Sequence, residues 1–542
     1  QASASGGEFA ISPDGQTVAF IAEHPDGKRE LFIRTLDNVT PRELTGADNA
    51  AMPFFSPDGR WVGFVADQQL KKIPVEGGSV VTLAEISDAI GASWGRKGFI
   101  AVSTGGHIAL VPENGGATRL MPGADPATER YPRYPLFLPD AETVLYTSWG
   151  GQASDARIVA RSVKTGAITE LGVVGVAVVG VLDGFLLYAG GAGSLLAVPF
   201  DERAIRITPD SSQQLVDGIS ISRSGRLSIA LSENGSLVYQ TGSVLTEAVL
   251  VDLRGGVRLL SGDQKFFDYP RFSPDGRTVA FGIDGRSSTD VWLYDVSSGS
   301  PARLTVAGTV NTRPEWSRDG KRVLYRSNRD GTSALWWQPV DGSGPPEMLL
   351  RSQGRDVWEG LLSPTDETVL YRTGTLGSAD IWFRRLNGDT TTKPFAATPF
   401  TEYEARFSRD GNWIAYSSDE RGTRQVFVKR FPSGDGRYQV STDGGEQPVW
   451  STDGRRLYYV RRSGQLLSAR IHTAPAFAVI GVDTVTRGGY YLTMRLGHAG
   501  YDVAPDGEHL LLLRPVSTEV PTIVVSGWLD EWRTQRAAAK RK

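Results

Sequence analysis

Pro53-Phe54-Phe55-Ser56-Pro57-Asp58-Gly59-Arg60-Trp61-Val62-Gly63-Phe64 carries an apolar run into a Ser-Pro-Asp-Gly turn and out into a second apolar run. Each turn residue has a mechanical role, since proline presets φ at the second position, aspartate hydrogen-bonds nearby backbone, and glycine supplies a positive φ. The stretch therefore reads as strand, tight turn, strand. The same word or a relative of it begins at Ser12, Ser56, Ser273, Ser317, Ser363, Ser408, Ser451 and Ala504, with weaker copies at Ser93, Leu138, Leu182 and Ser232. The twelve copies lie 37 to 53 residues apart, averaging near 45, which is the length of one four-stranded propeller blade.

Alternating strands follow the turns, as in Thr278-Val279-Ala280-Phe281 and Trp413-Ile414-Ala415-Tyr416, and a second polar turn such as His24-Pro25-Asp26-Gly27 leads to a third strand. A short fourth strand such as Arg42-Glu43-Leu44-Thr45 often closes the unit. A four-stranded sheet of this kind cannot cover both its faces alone, so the units must stack around an axis. The expectation is an all-β fold of twelve four-stranded blades in two consecutive six-bladed propellers, residues 1–262 and 263–527, with a short helical and basic tail at 528–542. One twelve-bladed ring is the alternative. The last unit reaches its third strand at Thr522-Ile523-Val524-Val525 without a fourth, and residues ahead of Gln1 could supply it.

Acidic residues exceed basic ones by only three, 61 against 58, so the protein lacks the long-range positive field of a nucleic-acid binder or a polybasic membrane anchor. It has no cysteine, which excludes disulfides, thiolate metal sites and a cysteine nucleophile. From Val173 to Val198 only Asp183 is charged, enough length for a membrane span. Asp183-Gly184 and the glycines at 190, 191 and 193 cut that run into pieces suited to buried strands joined by turns, so no transmembrane segment is expected. The sequence begins at Gln1 without a signal pattern, and any anchoring segment is expected to lie ahead of it.

The repeat words resemble the TolB-type propeller repeats of bacteria, and more closely the extracytoplasmic sensor region of bacterial serine/threonine protein kinases. The words that carry the resemblance are the one at 53–64, Leu70-Lys71-Lys72-Ile73-Pro74-Val75-Glu76-Gly77-Gly78, Leu195-Leu196-Ala197-Val198-Pro199-Phe200-Asp201 and Ser441-Thr442-Asp443-Gly444-Gly445-Glu446-Gln447-Pro448-Val449-Trp450. The glycine-rich loop, His-Arg-Asp and Asp-Phe-Gly of a kinase do not occur in the sequence. The resemblance implies a periplasmic or extracytoplasmic scaffold that binds a protein or small ligand and contributes no catalytic residue.

Isolated chemical motifs have structural readings. Gly91-Ala92-Ser93-Trp94-Gly95 fits a nucleophile elbow, but a strand-like Phe99-Ile100-Ala101-Val102 follows where that motif needs a helix. The histidines at 24, 107, 472, 498 and 509 show no metal-ligand spacing, and surface or turn roles are expected of them. Trp336-Trp337 and the other third-strand aromatics read as packing between blades. No metal and no cofactor is expected.

Binding in a propeller gathers where the innermost strands converge. Positions two and four residues before each turn pick one face of that strand by its period of two. In the first half these are Glu8 and Ala10, Met52 and Phe54, Ala89 and Gly91, Tyr134 and Leu136, Val178 and Gly180, Ser228 and Ala230, nearly all apolar or small. The second half gives Tyr269, Arg271, Arg313, Glu315, Glu359, Glu404, Arg406, Gln447 and Asp502, beside Leu361, Val449 and Gly500. A wall of mixed charge is expected either as a wet, ligand-receiving funnel or as a structural ion-pair network. The nine polar residues are the candidate binding site. The main functional expectation is a non-catalytic scaffold for a protein partner on the cell envelope. Its alternatives are an accessory subunit on a membrane-protein complex, the propeller part of a hydrolase or peptidase whose catalytic domain lies elsewhere, and a channel-mouth hydrolase or lyase.

Overall fold

The computed structural model describes residues 8–23, 29–86, 89–122, 131–149, 156–190, 193–208, 211–220, 228–241, 245–285, 288–352, 357–374, 379–461, 464–474, 476–486, 490, 498–516 and 522–539. The turn at His24 lies outside them. The sequence-predicted turns form as their chemistry requires. Ser56 Oγ donates to Asp58 Oδ1 at 2.6 Å and accepts from Trp61 N at 3.0 Å, while Gly59 takes a φ of 71°. The same Ser-to-Asp bond recurs at Ser273, Ser317, Ser408 and Ser451. At Asp58 the carboxyl is held at about 2, below the usual carboxylate range, with the Ser56 hydroxyl as the largest cause.

Strands following these turns pair antiparallel into twelve sheets, ten of four strands, one of five and one of three, among the described residues. They fall into two compact units, residues 1–244 with 519–542, and residues 245–518. In the first unit the inner strands Phe9–Ile11, Ala51–Phe55, Ala92–Trp94, Tyr131–Phe137, Ala177–Leu182 and Ile229–Leu231 touch in succession and the last returns to the first. Six apolar clusters fill the gaps between neighbouring sheets, from Leu31, Ile33, Val62 and Phe64 around to Ile11, Val18 and Val238. This is a closed six-bladed propeller.

The second unit repeats the plan. Its inner strands are Phe266–Phe272, Asn311–Trp316, Val357–Leu362, Glu402–Phe407, Glu446–Trp450 and Asp502–Val503, and six further clusters pack its sheets in cyclic order. Its last sheet runs Val257–Leu259, Thr246–Asp252, His509–Pro515, Asp502–Val503, so strands from both ends of the unit close the ring.

Two sequence expectations change here. The division falls between Val244 and Leu245 rather than near Gly262, because Thr246–Asp252 pairs with His509–Pro515 along its whole length. Thr522–Val525 pairs with Leu237–Gln240 and so belongs to the first unit, as the third strand of its sixth sheet. The helix Trp528–Ala539 then lays Trp528 and Trp532 against Phe185, Leu187 and Leu195. Gly235, at a φ of 89°, leaves the space that Leu529 fills, since a Cβ there would stand 3.0 Å from its Cδ2. The apolar run at 173–198 forms strands, as its punctuation implies, and no helix among the described residues is long and apolar enough to cross a membrane.

Candidate functional site

The inner strands carry an irregularity that the period of two does not foresee. Pairing shifts register between Asp268 and Arg271, Thr312 and Glu315, Tyr403 and Arg406, and Glu446 and Val449. The residue four before the turn stands there in the left-handed region: Tyr269 at 52°, Arg313 at 59°, Glu404 at 57° and Gln447 at 59°. Met52, Gly91 and Tyr134 do the same in the first unit. Left-handed backbone costs a non-glycine residue roughly 1–2 kcal/mol. The recurrence shows a bulge built into the repeat, which re-aims the side chains on both sides of it. In the third sheet the turn starts at Gly95, whose N–H bonds Phe99 O. The equivalent inner pair is therefore Gly91 and Ser93 rather than Ala89 and Gly91, and Ser93 Oγ is occupied in accepting from Phe137 N at 3.1 Å.

In the second unit five of the nine candidates meet at the axis. Arg271 Nε donates to Glu315 Oε1 at 2.7 Å. Arg406 Nη1 lies 3.2 Å from the same oxygen and 3.6 Å from Glu359 Oε1. Tyr269 packs edge-on to a histidine ring at a centroid distance of 5.1 Å. That ring is His498, fully buried, and it is the hub that sequence reasoning missed by assigning the histidines to surface or turn roles. Its Nδ1 stands 2.5 Å from Glu359 Oε1, and its Nε2 stands 2.8 Å from Arg271 Nη2 and 3.2 Å from Arg406 Nη2. Guanidinium nitrogens only donate, so Nε2 accepts and Nδ1 carries the proton, which places a neutral imidazole between acid and base.

The other four candidates act nearby. Arg313 lies over the Tyr269 ring at 5.4 Å and donates from Nη1 to Trp358 O at 2.5 Å. Glu404 Oε2 accepts from Ser417 Oγ at 2.8 Å and from Gln447 N at 2.6 Å. Gln447 Oε1 accepts from Gly500 N at 2.9 Å, and Asp502 Oδ2 accepts from Phe272 N at 2.8 Å. Side chains on one inner strand thus clasp the backbone of the next. A second layer also escaped the sequence reading because it sits outside the two chosen positions. Trp358 lies between the guanidinium groups of Arg326 and Arg372, and Tyr403 between those of Arg372 and Arg424, at 4.6 to 5.9 Å. Arginines at the end of a second strand, as Arg326 and Arg372, or in the turn after it, as Arg424, facing aromatics five before a turn are the signal that could have found it.

Burial sets the electrostatics. It pushes the Glu315 carboxyl up to about 7 against the pull of Arg271, and raises Glu359 and Asp502 as well. Burial and then the nearby Glu446 charge lift Glu404 to about 8. Burial works against the charge of Arg271, but Glu315, Asp502 and Glu359 outweigh it and hold its proton more tightly. Arg372 comes down to about 10 through burial and its neighbour Arg313. Of the nine candidates only Tyr269, Glu315 and Asp502 keep partial access to solvent, the Glu315 side chain at 16%. Among the described residues no cluster of acids and histidines has the arrangement of a metal site.

The closed rings and the interlocked axis define an all-β propeller protein with two six-bladed units. Residues 216–393 match the family model described as the TolB beta propeller domain. Among curated proteins, the sequence is 29% identical over 245 residues to "Tricorn protease homolog 1" of Streptomyces coelicolor, covering 42% of this chain and 22% of that one. It is 25% identical over 200 residues to "Uncharacterized peptidase YuxL" of Bacillus subtilis, covering 35% and 28%. The matches thus span less than a third of either relative's length. Solved structures with distant likeness include the tricorn protease, at 13% identity and a TM-score of 0.31 over 95% of this chain and 53% of that one. Another is TolB from Acinetobacter baumannii, at 12% identity and a TM-score of 0.29 over 79% and 80%.

Proposed function

We propose that the protein is a non-catalytic propeller scaffold that recognises a protein partner outside the cytoplasm, through the axis of its second unit. The observation that supports this reading is the junction of Tyr269, Arg271, Glu315, Glu359, Arg406 and His498. It brings side chains from four inner strands, and from the segment leading into Asp502–Val503, to one point and leaves Tyr269 and Glu315 partly open to solvent. A fixed, charge-lined platform suits recognition, because its groups are ordered before a partner arrives. The extracytoplasmic placement, the sensor role and the envelope partner rest on the resemblance of the repeat words.

The test is retention of a protein from the cell-envelope fraction by the immobilised protein, compared with Tyr269→Ala. Tyr269 is partly exposed and its removal leaves the ion pairs standing. A partner held by the parent and lost by the variant, with both melting alike, supports the reading. Equal retention by both, or none by the parent, overturns it. A second reading, the propeller part of a larger peptidase, draws on the printed names of two relatives. It predicts that the protein lowers the KM of a separately supplied peptidase domain for long peptides.

A further inference from the structure

The most solvent-accessible carboxylate of the axial cluster belongs to Glu315, and it lies across two convergent guanidinium groups, with Arg271 Nε at 2.7 Å and Arg406 Nη1 at 3.2 Å. Both arginines are pinned from behind. Arg271 also donates to Pro270 O, to Tyr501 O at 3.1 Å and to His498 Nε2, and Arg406 donates to Ala405 O and reaches the same imidazole. Among the described residues the Glu315 carboxylate is held only by these arginines and by a more distant contact with His498 at 3.6 Å. Two fixed cations therefore face a carboxylate tethered by a flexible two-carbon stem on a side chain that stays partly exposed.

We propose that Glu315 is a built-in stand-in for a ligand carboxylate, and that the axis of the second unit receives a carboxylate group of its partner by displacing Glu315 from Arg271 and Arg406. This deepens the proposed recognition role and rests on it. Paired guanidinium forks match carboxylate geometry, and the exchange replaces one carboxylate by another at the two arginines, so their buried charge stays compensated while Glu315 turns toward solvent or takes up a proton. Burial, which lifts the Glu315 carboxyl to about 7, makes the internal ion pair easy to give up near neutral pH. The neutral His498 keeps the two arginines in place without adding a third positive charge.

Two carboxylate sources share this chemistry, the C-terminus of a polypeptide and an acidic side chain, and three peptides separate them. These are acetyl-triglycine with a free carboxylate, its C-terminal amide, and acetyl-Gly-Glu-Gly amide, each titrated calorimetrically into the protein of residues 1–542 and into its Glu315→Gln variant. The expected result is at least tenfold tighter binding of one of the two acids by Glu315→Gln than by the parent, with the triglycine amide silent. The acid that binds identifies the source. Equal affinity of parent and variant, equal binding of acid and amide, or no binding of either acid overturns the proposal. Should Glu315→Gln lose its cooperative melt, the parent carries the test. Millimolar peptide acid must then raise its Tm where the amide does not, and identical Tm values overturn the proposal. A partner retained in the envelope experiment alongside silent peptides would sink the carboxylate exchange and leave the scaffold reading intact.

Discussion

Ser56 shows how much one hydroxyl can hold. Its Oγ joins the Asp58 carboxylate to the backbone N–H of Trp61, closing the turn at both ends. Ser56→Ala removes both bonds and is expected to cost about 1–3 kcal/mol in urea unfolding. Asp58 is held at about 2 in the folded protein, below its unfolded value, so its contribution is present above pH ~4 and is lost as pH falls toward 2. The variant should therefore show a smaller loss of stability than the parent between pH 4 and 2, and equal losses would refute the role given to Ser56. Glu404 has the opposite sign. Its folded value of about 8 lies above the unfolded one near 4.5, so the stability it contributes is full below pH ~4.5 and is lost as pH rises through 8. Glu404→Gln should flatten the decline in urea midpoint between pH 6 and 9, and an unchanged slope would assign that decline to other groups. The turn chemistry was readable because Ser, Asp and Gly act within five residues of one another. The axial hub was not, because His498 meets Arg271 and Glu359 across 227 and 139 residues of sequence. The bulge before the turns also breaks the alternation on which the choice of inner positions relied.

The helix Trp528–Ala539 illustrates what a strand-and-turn reading leaves open. Its tryptophans and the Leu529 side chain cover apolar surface of the first unit's fifth and sixth sheets, and Leu529 itself is 6% exposed. Arg533 pairs with Asp183 at a neighbouring turn, where the two side chains are 47% and 38% exposed. Apolar burial should dominate, since exposed ion pairs contribute little and buried leucine truncations cost several times more. Leu529→Ala is expected to destabilise the first unit by about 2–3 kcal/mol and Asp183→Asn by less than about 1 kcal/mol. Chemical denaturation followed by the fluorescence of Trp528 and Trp532 would check the order, and a larger effect of Asp183→Asn would reverse this account. Trp528-Leu529-Asp530-Glu531-Trp532-Arg533 announces a helix by composition, but not where it docks. Its docking place follows from the strand before it. Thr522–Val525 is apolar at Ile523, Val524 and Val525, which marks a strand but not its partner, so only its pairing with Leu237–Gln240 reveals which unit owns it.

The path of the backbone follows from that pairing. The repeat period gives twelve units and a pattern of strands that the structure reproduces, because each unit's core is local and its turn is written in four letters. The ownership of the units that close the rings is a long-range matter. A sum over repeats places the division after the sixth fourth strand, near Gly262, whereas hydrogen bonding assigns Thr246–Asp252 to the neighbour of His509–Pro515. A ring has no free edge between its first and last sheets only if the closing sheet is complete, and here each unit completes it with segments far apart in sequence. The second unit is thus one continuous segment, 245–518, whereas the first is split between 1–244 and 519–542. This makes a sharp prediction for fragments. Residues 245–518 contain all six sheets of the second unit, with Ala248, Leu250 and Leu260 packed against Phe267, Phe281 and Leu511. That fragment should fold alone, with a β-type circular dichroism spectrum and one cooperative calorimetric transition. A fragment of 263–527 has nearly the same length but strips His509–Pro515 of its Thr246–Asp252 partner and removes those first three residues from the cluster. Buried leucine losses of about 2–5 kcal/mol each approach the whole stability of a domain, so this fragment should aggregate or melt without a cooperative transition. Equal behaviour of the two fragments would show that the closing sheet is dispensable and that the boundary near Gly262 serves as well.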